Sequence, residues 1–295
     1  MPFTRAADDL HGTLWYRLPV KNMNAQARMA FFALLLPLAL TAVPAGAWAP
    51  RERLEMVYDV LAGGRVAVLT LEFGVVGDSY RIASRQASAG VVRWAFPWQS
   101  TTEVRGRFDA ALTVPETYRV KGEFRGKPRR VEMDFRNGEL VRYEAVPNNV
   151  DDEREEVTPE QRRGALDPVS AIMAVIRQAN EGRGCDARMP VFDGRQRYDI
   201  AFTDRGMADI KSHHASIFEG QARVCAFEWV PIAGRLKRAG MPPRDADRRF
   251  GRAYMAPVEA DGAQAPVKIE FEAWFGTVTG HLREVRRLEQ KAAAD

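Results

Sequence analysis

The stretch Val131–Val146 reads VEMDFRNGELVRYEAV. Val131, Met133 and Phe135 alternate with Glu132, Asp134 and Arg136. A period of two places the apolar side chains on one face of a strand and the charges on the other. Asn137-Gly138 supplies the residue pair that accepts the positive φ values of a tight hairpin turn, and Leu140 to Val146 returns. One dry face and one charged face is an antiparallel signature, since parallel strands are buried on both sides.

The same alternation recurs on either side of this hairpin. Leu54, Met56, Tyr58 and Val60 alternate with Glu55 and Asp59, and Ala62-Gly63-Gly64 turns the chain. Val66 to Phe73 is apolar at most positions, which predicts a strand covered on both faces. Tyr118, Val120 and Phe124 alternate with Arg119, Lys121, Glu123 and Arg125. Near the end, Val267, Ile269, Phe271, Ala273 and Phe275 alternate with Lys268, Glu270 and Glu272, and Gly276-Thr277 leads into Val278 to Val285. One segment has helical spacing instead. Asp167 can cap an N-terminus, Pro168 suits the first helical position, and Val169, Ile172, Met173 and Ile176 share a face before Glu181-Gly182. The chain reads as mostly β: a curved antiparallel sheet or open β-barrel with one covering helix at about 168–180. In outline it is like a lipoprotein carrier or a lipocalin.

Composition narrows the class. The 295 residues are 46% hydrophobic and 28% charged, which excludes a disordered chain, a collagen and a polytopic membrane protein. A net charge of +4 is too small to imply nucleic acid. Two cysteines rule out a multi-cysteine zinc site.

Residues 29–43, MAFFALLLPLALTAV, form an uncharged apolar run preceded by Arg28 and followed by Pro44-Ala45-Gly46-Ala47. This is the pattern of a cleaved signal peptide, with cleavage expected after Ala47. The run is shorter than the roughly 20 residues of a spanning helix, so no stable transmembrane anchor is expected. Asp8 and Asp9 fit an n-region poorly, and Met23 gives a better start. Residues 1–47 are thus read as leader and signal peptide, and 48–295 as one β-rich domain. That domain carries a polar linker at 148–164, expected to be exposed, and a basic excursion at 234–252. Export implies a periplasmic location and an oxidising compartment, where Cys185 and Cys225 have each other as the only intramolecular partner. Their bridge would close a loop of about 41 residues, worth roughly 4 kcal/mol by loop-closure entropy. The alternative is a redox or catalytic thiol, but neither a C-x-x-C nor a cysteine-protease signature is present.

Motifs of chemistry are scarce. GEFRGK at 122–127 misses the P-loop spacing, no G-x-G-x-x-G follows a strand, and G-x-S-x-G is absent. Ser170 reads as a first-turn helix residue rather than a nucleophile. His213-His214, placed on a strand, would point to opposite faces and not share a metal, and His281 reads as an isolated packing residue. Asp193, Arg195, Arg197 and Asp199 are expected on a hairpin with its charges in solvent, the alternative being a polar cluster. Trp94, Phe96, Pro97 and Trp98 read as core, the alternative being a hydrophobic lip at a ligand cavity. The basic stretch 235–252 could attract anionic lipid or polysaccharide. No catalytic, metal-binding or cofactor-binding residue is assigned.

Several segments together resemble a known family: DPVSAI at 167–172, Cys185, VFDGRQRYD at 191–199, GQARVC at 220–225, PIAG at 231–234, PVKIE at 266–270 and FG at 275–276. Their order is similar to that of the exported bacterial family called domain of unknown function 3108, over about Leu54 to Val285. The resemblance implies a periplasmic, mostly β protein with no established reaction, and its cysteines match Cys185 and Cys225. The basic excursion has no assigned family role. The expectation is therefore a non-enzymatic periplasmic protein that binds or carries a hydrophobic envelope ligand such as a lipid. The alternative is a structural or interaction protein of the envelope. An enzyme acting on envelope polymers is a third reading.

Overall fold

The structure, a computed structural model, describes residues 53–110, 112–237, 248–260, 262–273 and 276–288. The leader and signal peptide at 1–47, the start at Met23, the 238–247 part of the basic excursion and Phe275 lie outside the described residues. Among the described residues, no helix is long and apolar enough to cross a membrane.

Thirteen strands form one antiparallel sheet that is not closed into a barrel. The first seven are β1 (Arg53–Leu61), β2 (Arg65–Val76), β3 (Ser79–Ser88), β4 (Trp98–Asp109), β5 (Leu112–Phe124), β6 (Lys127–Arg136) and β7 (Glu139–Val146). The other six are β8 (Ala187–Phe192), β9 (Arg197–Ile210), β10 (Gly220–Ala233), β11 (Arg249–Pro257), β12 (Gln264–Ala273) and β13 (Gly276–Leu288). Their order is β7-β6-β5-β4-β3-β2-β1-β13-β12-β11-β10-β9-β8. Every neighbour is sequential except β1 and β13. The Asn137-Gly138 hairpin forms as its sequence dictates, with φ of 51° and 80°. Arg125-Gly126 makes a second tight turn of the same kind, with φ of 52° and 74°.

The alternating pattern holds with local exceptions. Met133 and Val131 are buried as expected. In β1 the register shifts between Val57 and Tyr58, so Met56, Val57 and Tyr58 are all buried and the strict alternation slips. β2 is less enclosed than its composition predicts. Ala67, Phe73 and Val75 are buried, but Val66 and Val68 are only half-buried.

Because all pairs are antiparallel, the turns divide between two rims. The first rim holds the β1–β2, β3–β4, β5–β6, β8–β9, β10–β11 and β12–β13 connections. The second holds the β2–β3, β4–β5, β6–β7, β9–β10 and β11–β12 connections. Three helices lie in the connections: α1 (Gly90–Ala95), α2 (Pro159–Arg162) and α3 (Pro168–Asn180). Asp167 caps α3, accepting from the amides of Val169 and Ser170, with Pro168 in the first turn. Ser170, Ala171, Met173, Val175 and Ala179 are buried, while Ile172, expected on the covered face, is 43% exposed. The helix is enclosed on more sides than one stripe would need. It touches β4, β5, β8 and β12, with Ala171 and Ala179 fully buried.

The segment joining β7 to α3 departs from the exposed linker predicted. It runs across the gap between the sheet's two edges. Val157 and Ala165 are buried, Arg154 bridges to Leu236, and Leu166 bridges to Val191. Thr158 and Gln161 form a capping box around α2. Asp151, Glu153, Glu156, Glu160 and Arg163 stay in solvent as expected, while Asp152, Arg154 and Glu155 turn inward to partners across the gap. The disulfide Cys185–Cys225 is formed, with Cα atoms 5.9 Å apart, and packs with Val175 and Met255.

Gly194, in the β8–β9 turn, sits on β6. Its φ is +90°, and a Cβ there would fall 2.3 Å from Val131 Cγ1. Gly126 also has positive φ but has nothing within 4 Å. Gly194→Ala is therefore expected to cost about 2–4 kcal/mol in chemical denaturation, against about 1 kcal/mol for Gly126→Ala. Equal losses would show that the turn does not rest on β6.

Candidate functional site

Three polar clusters stand out, the first buried and the other two partly open. The first is the chain Tyr80–Ser170–Asp167. Tyr80 Oη and Ser170 Oγ are 2.7 Å apart, and Ser170 Oγ donates to Asp167 Oδ2. All three are buried, and the Ser170 hydroxyl ties α3 to β3. Burial pushes the Asp167 carboxyl up to about 6, outweighing the backbone and Ser170 hydrogen bonds that favour its charge.

The second cluster holds the two edges together. Asp152 pairs with Arg154 at 2.7 Å, Arg129 at 3.0 Å and Arg195 at 3.7 Å. Arg195 also donates to the carbonyls of Val146 and Pro147, and Asp193 Oδ1 accepts from the amides of Arg195 and Gln196. The expectation of a solvent-facing hairpin is thus overturned. The Arg195 and Arg197 side chains are each only 13% exposed. Asp199 joins Arg197 and Arg188 separately, so the four residues split between two networks. Neither network converges on open space; both are ties.

The third cluster corrects the reading of the histidines. Residues 211–219 form a loop, not a strand. His213 lies 4.3 Å, ring centre to ring centre, from His214, and stacks on His281 at 4.3 Å with 10° between planes. His281 is buried rather than isolated, and burial together with His213 pushes its pKa down to about 4. Among the described residues, no group of three His, Cys, Asp or Glu is placed to hold a metal.

The candidate site is the first rim. Tyr118, Val120, Gly122 and Phe124 share one face of β5. Tyr118 is buried, Val120 half-buried and Phe124 44% exposed. On β12, Val267 is buried, Ile269 half-buried and Phe271 40% exposed. On β4, Val104 and Thr102 are buried while Ser100 and Trp98 are partly open. The core face therefore runs into the open at one end. One cause is the placement of α3: its contacts with Tyr80, Phe108, Ala110, Leu112 and Gln264 lie toward the second rim, and it approaches the first rim at β8 and β9, where Ala171 packs with Val191 and Tyr198. A groove of about 310 Å³ at this opening is lined by Trp98, Gly122, Phe124 and Arg129 among others. A separate hollow of about 540 Å³ at the far end of β10–β12 is lined by Arg205, Arg252, Glu270 and Glu272 as well as by Phe250 and Phe271.

Beside the opening stands α1, and here the core reading of the aromatic segment fails. No residue of α1 is buried; Trp94 is 90% and Val91 84% exposed, and Phe96 is also open. A six-residue helix standing on a rim has no second layer to cover it. The Arg125 guanidinium lies 4.7 Å over the Phe96 ring and 5.6 Å from that of Phe124. Of these residues Trp98 lines the groove, while Trp94 and Phe96 stand open on the rim outside its lining. The sequence places Phe124 and Phe271 on apolar strand faces but not at a site, because alternation gives a residue's face and not its depth.

The fold and this opening define a class: a single-sheet β protein with a helix packed on its core face and an apolar mouth at one rim. The chain belongs to the family described as protein of unknown function (DUF3108), whose model matches residues 54–283. No curated protein and no solved structure matches the chain.

Asp167 gives a pH signature. Its folded pKa of about 6 lies above the unfolded value of about 3.9, so it stabilises the fold below about pH 4 and loses that contribution as pH rises through 6. Asp167→Asn keeps a capping oxygen and cannot ionise. Between pH 4 and 7, wild type should lose roughly 2 kcal/mol relative to this variant in denaturant titrations. Parallel profiles would place the proton elsewhere.

Proposed function

We propose that this is a non-catalytic protein of the bacterial envelope, exported to the periplasm, which binds an apolar envelope ligand, a lipid, at the open mouth. The observation that carries the reading is the rise in exposure along the core face of β5 and β12, ending on Phe124 and Phe271. Apolar surface contiguous with a core and left open on a water-facing rim favours an apolar occupant. The disulfide supports an oxidising compartment. The polar clusters are consistent with a binding role, since they are spent on holding the sheet around α3.

Chloroform–methanol extracts of the protein purified from cells should contain lipid. A fluorescent naphthylamine probe should bind and be displaced by that lipid. Phe124→Ser with Phe271→Ser should weaken probe binding ten-fold or more, from the loss of about 1.5–3 kcal/mol per aromatic contact. Failure of wild type to take up probe or lipid, or unchanged binding by the double variant, would end the reading.

A further inference from the structure

The geometry points to α1 and the β5–β6 turn as a docking surface for an anionic lipid bilayer. This rests on the reading of the mouth as a lipid site, and assigns the surface that would bring the mouth to its source. Two rim segments make it. Residues 89–102 and 124–131 together contain Arg93, Arg125, Lys127, Arg129 and Arg130 and no aspartate or glutamate, and exposed Glu123 is the single acid at their border in the groove. Within them Val91, Trp94 and Phe96 face solvent, beside exposed Arg93, Arg125 and Lys127. Exposed tryptophan and aliphatic side chains ringed by cations match a bilayer interface, where the indole sits at headgroup depth and the cations meet lipid phosphates.

Charge selects this occupant over another protein face of mixed charge. Arg129 and Arg130 are held by Asp152 and Glu144, which leaves Arg93, Arg125 and Lys127 as the outward cations of the patch. The Arg125 guanidinium stacks between Phe96 and Phe124, so the cationic surface and the mouth share a residue. The opposite rim differs in kind: Val76, Leu112, Val141, Met207 and Ile217 are open toward it, and none of them is aromatic.

The test is flotation of the chain as the expressing cell processes it, its N-terminus read by intact mass. Vesicles of phosphatidylethanolamine with 30% phosphatidylglycerol, about a bacterial surface charge, are compared with phosphatidylcholine alone. Wild type should bind the anionic vesicles at least ten-fold better and lose that preference in high salt. Val91→Ser with Trp94→Ser, and separately Arg93→Glu with Lys127→Glu, should each lower anionic binding ten-fold or more. These side chains are exposed, so the melting temperature should not move. The naphthylamine probe should still bind the Val91/Trp94 variant. Loss of probe with vesicle binding intact in the Phe124/Phe271 variant would separate the two surfaces. Equal binding to both vesicle types, unchanged binding by both rim variants, or a Trp94-dependent dimer without vesicle binding would overturn the proposal. If wild type takes up no probe yet floats in a charge- and Trp94-dependent way, the mouth reading fails while the docking surface stands.

Discussion

Pairing of β1 with β13 is the contact on which the sheet depends. Every other ladder joins strands adjacent in sequence and could form from a hairpin or a short connection. Nine register pairs, Arg53↔Leu288 through Leu61↔Thr279, unite the two meanders. Closing so long a loop costs conformational entropy before any contact repays it. The repayment is concentrated at this seam. Met56, Tyr58 and Leu282 are buried there, and Tyr58 Oη donates to the Pro266 carbonyl at 2.9 Å. A sheet joined at its centre leaves its weak points at the two ends, β7 and β8.

Those ends are managed by polar ties rather than by a ladder. Arg195 reaches the last carbonyls of β7, Asp152 gathers three arginines, and Tyr143 meets Phe192 edge to face at 5.3 Å. Half-buried charge pairs contribute little net stability by themselves, but removing one partner strands the others. Their value here is positional: they hold an open sheet around α3 without closing it. The disulfide adds a covalent constraint between the loop after α3 and β10. Because α3 covers only part of the core face, the same arrangement that stabilises the second rim leaves the first rim open.

Much of this was legible in the sequence, and the residues show where legibility stopped. Alternation along Val131–Phe135 and the Asn137-Gly138 turn depend on local sterics, and both appear as read. The Asp167-Pro168 start of α3 is equally local. The cysteine pairing followed from there being only one possibility. Depth was not legible. Phe124 carries the same pattern as Tyr118, and only the reach of a distant helix separates an open ring from a buried one. The same holds for Trp94, whose apolar character said core while its place on a rim said otherwise. The histidine stack and the Asp152 cluster join residues 68 and 43 positions apart, His213 with His281 and Asp152 with Arg195, and no spacing rule reaches that far.

The antiparallel seam has a geometric result. β1 begins and β13 ends at the second rim, as Arg53 pairs with Leu288. A nine-residue strand at about 3.3 Å per residue then separates Arg53 and Leu288 from the first rim by about 30 Å. A surface to which the chain is fastened next to either residue would therefore meet the second rim. The aromatic rim would point away from it, oriented like the free end of a tethered probe.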